Sequence, residues 1–335
     1  MRGATDVPAR MLALALLAAP GANAAERARL VLEELGNGPV PVAALGNAEL
    51  SGVTWLGEGR FLSVDDGLRR LIPLDLTLDP ASGAIQQVQV GEYVKLAGAQ
   101  DPEGVARRPN HGTMLVVDEG TRDIREYDPK TGELLKTYPP PKIYEGRVKK
   151  NTGFESIAAA WDGHSFWIAT EGPLRDDGGG TNAMRGAWVR LQRLDESFQP
   201  FAQYAYRTDP GLGFVGVVDL LQTPEGELLV LERALTGGGF SARISQADFS
   251  KATDISSFEK LRNREDFVPV EKVKLWERNG GFQNFEGMEL GPTLPGGGRL
   301  LLLVSDGGGR RPPTLLALRL TRQAAPAPSE KPPAR

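Results

Sequence analysis

Carboxylates recur along this chain at two matched places. Glu103, Glu155, Asp219 and Glu286 each introduce a short apolar stretch, and Ser51 stands at the equivalent place in an earlier copy. Asp66, Glu119, Glu171, Glu232 and Asp306 each close the apolar stretch that follows. The segment FESIAAAWDGHSFWIATEG, residues 154–172, shows the pattern whole: strand, tight turn, strand, with an acid at either outer end. In an antiparallel hairpin the start of the first strand and the end of the second share one edge. All nine acids are therefore expected on one face, the leading ones on innermost strands. Carboxylates crowded in this way repel one another, and at pH 7 they need protons, cationic partners or a metal ion.

Two chemistries compete for them. In one, each acid accepts backbone N–H bonds or pairs with an arginine, locking neighbouring units together. Arg69, Arg70, Arg122, Arg125, Arg233 and Arg310 all follow trailing acids, and contacts between units must recur in every unit. In the other, a few acids with backbone carbonyls hold a hard cation, best Ca2+, which takes about six to eight oxygens. Other chemistry has less support. The only histidines, His111 and His164, fall in turns at the opposite face, and no G-x-S-x-G elbow occurs. GGGTNAMRG and LTGGGF lack the spacing of a phosphate loop. The chain has no cysteine, which excludes disulfides, thiolate metal sites, a cysteine nucleophile and a lipidated cysteine. A formal charge of −4 without a long basic run gives no footprint for nucleic acid.

The elements that carry these acids repeat. LSGVTWLGEGRFLSVDDG, DPEGVARRPNHGTMLVVDEG, the segment quoted above, VVDLLQTPEGELLVLERA and NFEGMELGPTLPGGGRLLLLVSDGG all read as hairpins. Aligned on Gly52, Gly104, Ser156, Leu220 and Gly287, they are separated by 52, 52, 64 and 67 residues. The turns GEG, PNHG, WDGH, PEGE and PGGG are strong hairpin signals. The strands after them, such as MLVVD, SFWIAT and LLLLVS, are apolar throughout, as strands buried on both faces are. More polar strands follow, as in IREYDP and WVRLQRLD. Such repeats predict an all-β fold, a β-propeller of five or six four-stranded blades. The only helix expected is a short one near residues 255–264. TLLALRLT supplies one outer strand after the last copy, and ARLVLEE, residues 28–34, is expected to pair beside it and close the ring. Trp55, Trp161 and Trp167 lie within hairpins and read as packing residues.

At the N-terminus, Arg2 and Arg10, the apolar run MLALALLAAP and the small-residue motif ANA at 22–24 read as a cleaved secretory leader over 1–24. The expected location is periplasmic or secreted, with no membrane span once the leader is gone, because the apolar run is too short to span. A single propeller domain is expected over 25–322 and a disordered Pro/Ala-rich tail over 323–335.

DPEGV, NTGFESIA, VVDLLQTPEGELLVLER and QNFEGMELGP with LLLVSD resemble the phytase-like propeller family described as "esterase-like activity of phytase", over about residues 45–320. The resemblance implies an exported propeller that hydrolyses a small-molecule ester or phosphate ester, with Ca2+ held by acidic pore residues. Carried over by position, it makes Glu103, Glu155, Asp219 and Glu286 the first metal-binding candidates, with Glu171, Glu232 and Asp306 behind them. Glu155, Glu286 and Glu103 become the candidate catalytic acids. One stretch departs from true propeller phytases: DPEGVA, residues 101–106, lacks the tryptophan of their D-[DA]-P-A-hydrophobic-W motif. The competing expectation is a non-catalytic periplasmic propeller that binds a ligand or a protein, with the acids as contacts between blades.

Overall fold

The computed structural model describes residues 29–323. The predicted leader, 1–24, lies outside them, as does the predicted tail except Gln323, which ends a strand. Within them the chain forms a β-propeller of five blades, each built on an antiparallel four-stranded sheet. No α-helix occurs among the described residues, only two short 3-10 turns at Ala43–Leu45 and Lys142–Tyr144. The helix expected near residues 255–264 is absent. That stretch is a series of turns that buries Ile255 and Leu261 against Ala205, with Trp188, Phe258 and Phe267 packed around them. No helix of the described residues is long and apolar enough to cross a membrane.

The innermost strands are Leu50–Gly57, Pro102–Arg108, Phe154–Ala159, Phe214–Gln222 and Asn284–Thr293, which begin blades one to five. Each turns back into a second strand, Arg60–Asp65, Thr113–Asp118, Ser165–Thr170, Leu228–Thr236 and Arg299–Asp306, almost wholly buried except in blade four, where burial covers only residues 228–232. Burial on both faces explains why those strands lack the alternation of a half-solvated sheet. In blade five the outer place beside Thr314–Gln323 is taken by Arg29–Glu34, from the other end of the sequence. Five hydrophobic clusters fill the seams between successive blades, so each seam is a small core of its own.

The inner strands run very close together at the axis. A Cβ added to Gly52 would lie 2.8 Å from the carbonyl oxygen of Glu103, and one added to Gly104 would lie 2.6 Å from that of Glu155. Glycine at these places lets the acid-bearing backbones of neighbouring blades approach.

Candidate functional site

The leading acids are aimed by β-bulges. In blade three Phe154 faces Thr170 and Ser156 faces Ala169, leaving Glu155 as the extra residue. In blade five Phe285 faces Ser305 and Gly287 faces Val304, leaving Glu286. Blade one leaves out Ser51 in the same way, and in blade two Glu103 lies within the irregularity between Pro102 and Val105. A bulge breaks the ladder locally and re-aims a side chain, which is why bulges collect beside functional sites. Here it turns a carboxylate from each of three blades toward its neighbours around the axis.

Electrostatics records that convergence. Burial, then the charges of Asp66, Glu286 and Asp101, push the Glu103 carboxyl well above the usual carboxylate range. Burial and then Glu103, Glu171 and Glu119 do the same to Glu155. Glu286 is pushed up to about 8 by burial, with Asp306 and Asp66 adding to it, although Arg233 pulls the other way. Asp66 rises to about 7, again by burial first and then by Glu49 and Asp306. Glu171 is raised by burial against the opposing pull of Arg233. Ligand oxygens of Asp66, Asp101 and Glu103 lie within 4.8 Å of one another, close enough to share one cation.

One guanidinium serves the centre of this rim. Arg233 donates to Glu171 Oε1 at 2.5 Å, to Asn284 Oδ1 at 3.2 Å and to Glu286 Oε1, so it links blades three, four and five. Asn284 in turn donates to Glu286 Oε1 at 2.6 Å and to Asp306 Oδ2 at 3.4 Å. Of the other arginines that follow trailing acids, Arg70 pairs with Asp65 and Arg125 with Asp123, while the charge of Arg69 pulls the Asp101 carboxyl down against its burial.

Two predicted site residues are not brought to this rim, both in blade four. Val217 faces Glu232 and Asp219 faces Leu231, so the extra residue of that bulge is Val218. Asp219 therefore matches Gly52, Ser156 and Gly287, and the alignment on Leu220 is one residue off. Its carboxylate accepts the Met288 N–H of blade five at 2.7 Å and its neighbour Leu220 N–H at 2.8 Å. Glu232 is likewise one residue early, matching Asp65 and Asp118. It accepts from Tyr206 at 2.5 Å, Lys272 at 2.5 Å and the Asp209 N–H at 2.8 Å, in the seam between blades three and four. The residue matching the trailing acids Glu119 and Glu171 is Arg233. Glu119 itself accepts the Gly153 N–H of the next blade at 2.7 Å. Asp219 and Glu232 thus act as contacts between blades, Glu119 bridges blades two and three while its charge also acts on Glu155 and Glu171, and Glu103, Glu155, Glu171, Glu286, Asp306 and Asp66 form the rim.

Sequence reasoning missed the parts played by Asp101 and Glu289, and it named Arg233 as a partner for a trailing acid without placing it in the rim. Asp101 stands two residues before Glu103 in DPEGV, a pairing of carboxylates ahead of a bulge. Arg233 is found by setting LERA beneath VDDG, VDEG, ATEG and VSDG, which places arginine under the acids. Glu289 is a carboxylate at a position where the other blades have Thr54, Ala106, Ala158 and Leu221. His111 and His164 lie in turns as expected, His164 with its Nδ1 2.8 Å from Glu196 Oε2. Of the three tryptophans, Trp167 is buried as expected, but Trp161 is 46% exposed and stacks on Trp55 at 6.4 Å between ring centroids.

The profile of the phytase-like family, described as "Esterase-like activity of phytase", matches residues 46–307, which span all five inner hairpins and the whole rim. The chain belongs to the phytase-like family. No curated protein sequence matches it. Among solved structures the phytase-like chain is similar to the PQQ-bound aldose sugar dehydrogenase of Streptomyces coelicolor, at 12% identity and a TM-score of 0.45, covering 88% of this chain and 100% of that one. A luciferin-regenerating enzyme matches at 14% identity and a TM-score of 0.42, over 85% of this chain and 95% of that one. A streptogramin B lyase matches at 12% identity and 0.39, over 87% and 98%. Likenesses this distant say nothing about activity.

Proposed function

We propose that this phytase-like chain is an exported, Ca2+-dependent ester hydrolase that acts on phosphoric esters at the acidic mouth. The observation that carries the reading is the shared position of Asp66, Asp101 and Glu103, with oxygens within 4.8 Å in a rim short of cations. Three carboxylates leave room in a Ca2+ shell of about six to eight oxygens for backbone, water and substrate. Bound there, the ion would offset the negative field, polarise an ester oxygen and acidify a water. The chain's own groups do the rest. Arg233 holds Glu171 and Glu286 in fixed geometry and keeps positive charge beside the place an anion would enter. Glu155 and Glu286, whose carboxyls burial pushes upward, Glu286 to about 8, are the groups suited to give a proton to a leaving oxygen or take one from water.

The export part of the proposal rests on the basic and apolar leader in the sequence. Closure of the ring by Arg29–Glu34 belongs to the same reading, supported by its place beside Thr314–Gln323. A second reading, a non-catalytic binding propeller, is favoured by one observation: Glu119, Asp219 and Glu232 already serve as contacts between blades.

Hydrolysis of p-nitrophenyl phosphate and p-nitrophenyl acetate separates the two. The hydrolase reading expects turnover of the phosphate ester that EDTA abolishes, Ca2+ restores, and Glu103→Gln and Glu155→Gln each lower on the order of 100-fold. No turnover above background of either ester would favour the binding reading, and turnover unchanged by EDTA and by both substitutions would rule out hydrolysis at this mouth.

A further inference from the structure

The central channel has a second end, and its lining is of another kind. All five inner strands enclose a cavity of about 280 Å³ there, running from Asp219 and Met288 down to Trp55, Arg107, Trp161 and Gln222 at the turn-side mouth. Its walls are largely apolar: Val53, Val105, Ala106, Ile157, Ala158 and Leu221 among them. Into this wall blade five brings Glu289, where the other blades have threonine, alanine or leucine.

The Glu289 carboxylate is oriented but not neutralised. Its Oε1 accepts the Leu290 N–H at 2.7 Å and its Oε2 accepts the Thr54 hydroxyl at 3.2 Å. Thr54 Oγ1 in turn accepts the Arg107 N–H at 3.0 Å, which fixes the direction of that hydroxyl. Among the described residues Glu289 forms no ion pair. The nearby Arg299 guanidinium is committed elsewhere, donating to the Gly291 carbonyl at 3.1 and 2.6 Å and stacking over Trp55 and Trp161 at 5.2 and 4.7 Å. Gln222 Oε1, on another wall, is buried without a hydrogen-bond partner. A carboxylate fixed in an apolar cavity, with a spare acceptor on a second wall and indoles at the mouth, matches a ligand with an apolar body and N–H donors.

We propose that the turn-side end of the channel is a binding site for a small, largely apolar organic ammonium ion, with Glu289 as its counter-ion and Gln222 as a second acceptor. The site is separate from the acidic mouth and does not depend on the hydrolase reading. The charged groups that face Glu289 are Asp219 of blade four and Arg299 of its own blade, with Arg107 at the mouth. Burial holds Glu289 up to about 7, with Arg299 and the Thr54 hydroxyl pulling it down, so the carboxylate ionises only as the pH passes neutrality.

Benzylamine titrated into the full chain, followed by tryptophan fluorescence and calorimetry, tests the proposal. Saturable binding of benzylamine is expected at pH 8, weaker by about 10-fold or more at pH 5.5 and at least 10-fold tighter than benzyl alcohol or benzoate. Glu289→Gln should abolish the preference for benzylamine over benzyl alcohol and remove the pH dependence. Ala158→Leu, which fills the cavity without touching a charge, should block all of these ligands and keeps the test decisive should Glu289→Gln not fold. EDTA should leave binding unchanged, which distinguishes this site from the acidic mouth. Absence of saturable benzylamine binding to wild type, or equal binding by folded Ala158→Leu, would overturn the proposal.

Discussion

Arg233 does more than any other single side chain to make the acidic rim tenable. It holds Glu171 and Glu286, raised carboxyls on two different blades, and its own side chain is only 20% exposed. Breaking a buried pair by removing one partner leaves the other charge uncompensated, at a cost of several kcal/mol. Arg233→Met should therefore destabilise the fold by about 3 kcal/mol in urea unfolding, and Arg233→Lys, which keeps the charge but not the fork, by less. Equal stability of wild type and Arg233→Met would mean that Glu171 and Glu286 are held by something else. A second buried ion pair lies away from the site. Arg190, fully buried, donates to both oxygens of Asp177 at 2.6 and 2.8 Å, to Gln203 at 2.6 Å and to the Phe258 carbonyl at 2.9 Å. Asp177 also accepts the Leu261 N–H at 2.9 Å, so the pair ties blade three to the helix-free stretch that follows blade four's third strand. Asp177→Ala should cost roughly 3–5 kcal/mol, read from the urea midpoint.

At the scale of elements, the seam between blades four and five has a titratable clasp. Arg322, near the end of blade five's third strand, pairs with Glu227 and Glu225 in the turn of blade four at 2.6 and 2.5 Å. The Arg322 hydrogen bond holds Glu227 below its usual 4.5, down to about 2. A depressed carboxyl contributes stability that is complete above the unfolded value and fades as the pH falls through the folded one. Arg322→Ala should thus lower Tm at pH 6, and the two Tm curves should converge between pH 4.5 and about 2. Parallel curves over that window would show that the clasp contributes nothing. Elements are also where the sequence was most and least legible. The hairpin turns and uniformly apolar second strands disclosed every blade, because burial on both faces leaves a plain compositional mark. The bulges left no such mark. They insert one residue into a period-two pattern, so the alignment in blade four slipped by one, and Asp219 and Glu232 were read as rim acids. Arg233 was legible as an acid-pairing arginine, but the slip hid that it stands in blade four where blades two and three carry Glu119 and Glu171. The helix expected near 255–264 failed for a related reason: its apolar residues pack locally against Ala205 and Trp188 without a continuous helical face.

At the scale of the molecule, a propeller has to hold its first and last elements together. Arg29–Glu34 buries Leu30 and Leu32 against blades four and five. Glu34 also reaches the outer strand of blade four, accepting from Trp276 Nε1 at 3.1 Å and from Arg278 at 2.8 Å. Burial of each leucine is worth about 1.5–3 kcal/mol. A chain beginning after Glu34 should accordingly lose about 3–6 kcal/mol, measured by urea unfolding. Unaltered stability of that truncated chain would show that the ring does not depend on this strand.

The central claim is that the rim formed by Asp66, Asp101, Glu103 and their neighbours is a Ca2+ site. Thermal unfolding of EDTA-stripped protein with and without Ca2+ addresses it most directly. At a concentration about 100 times Kd, the ion should add about 2.7 kcal/mol and raise Tm by several degrees, and Asp101→Asn combined with Glu103→Gln should remove that shift. An identical Tm with and without millimolar Ca2+, or a shift that survives the double substitution, would contradict the account.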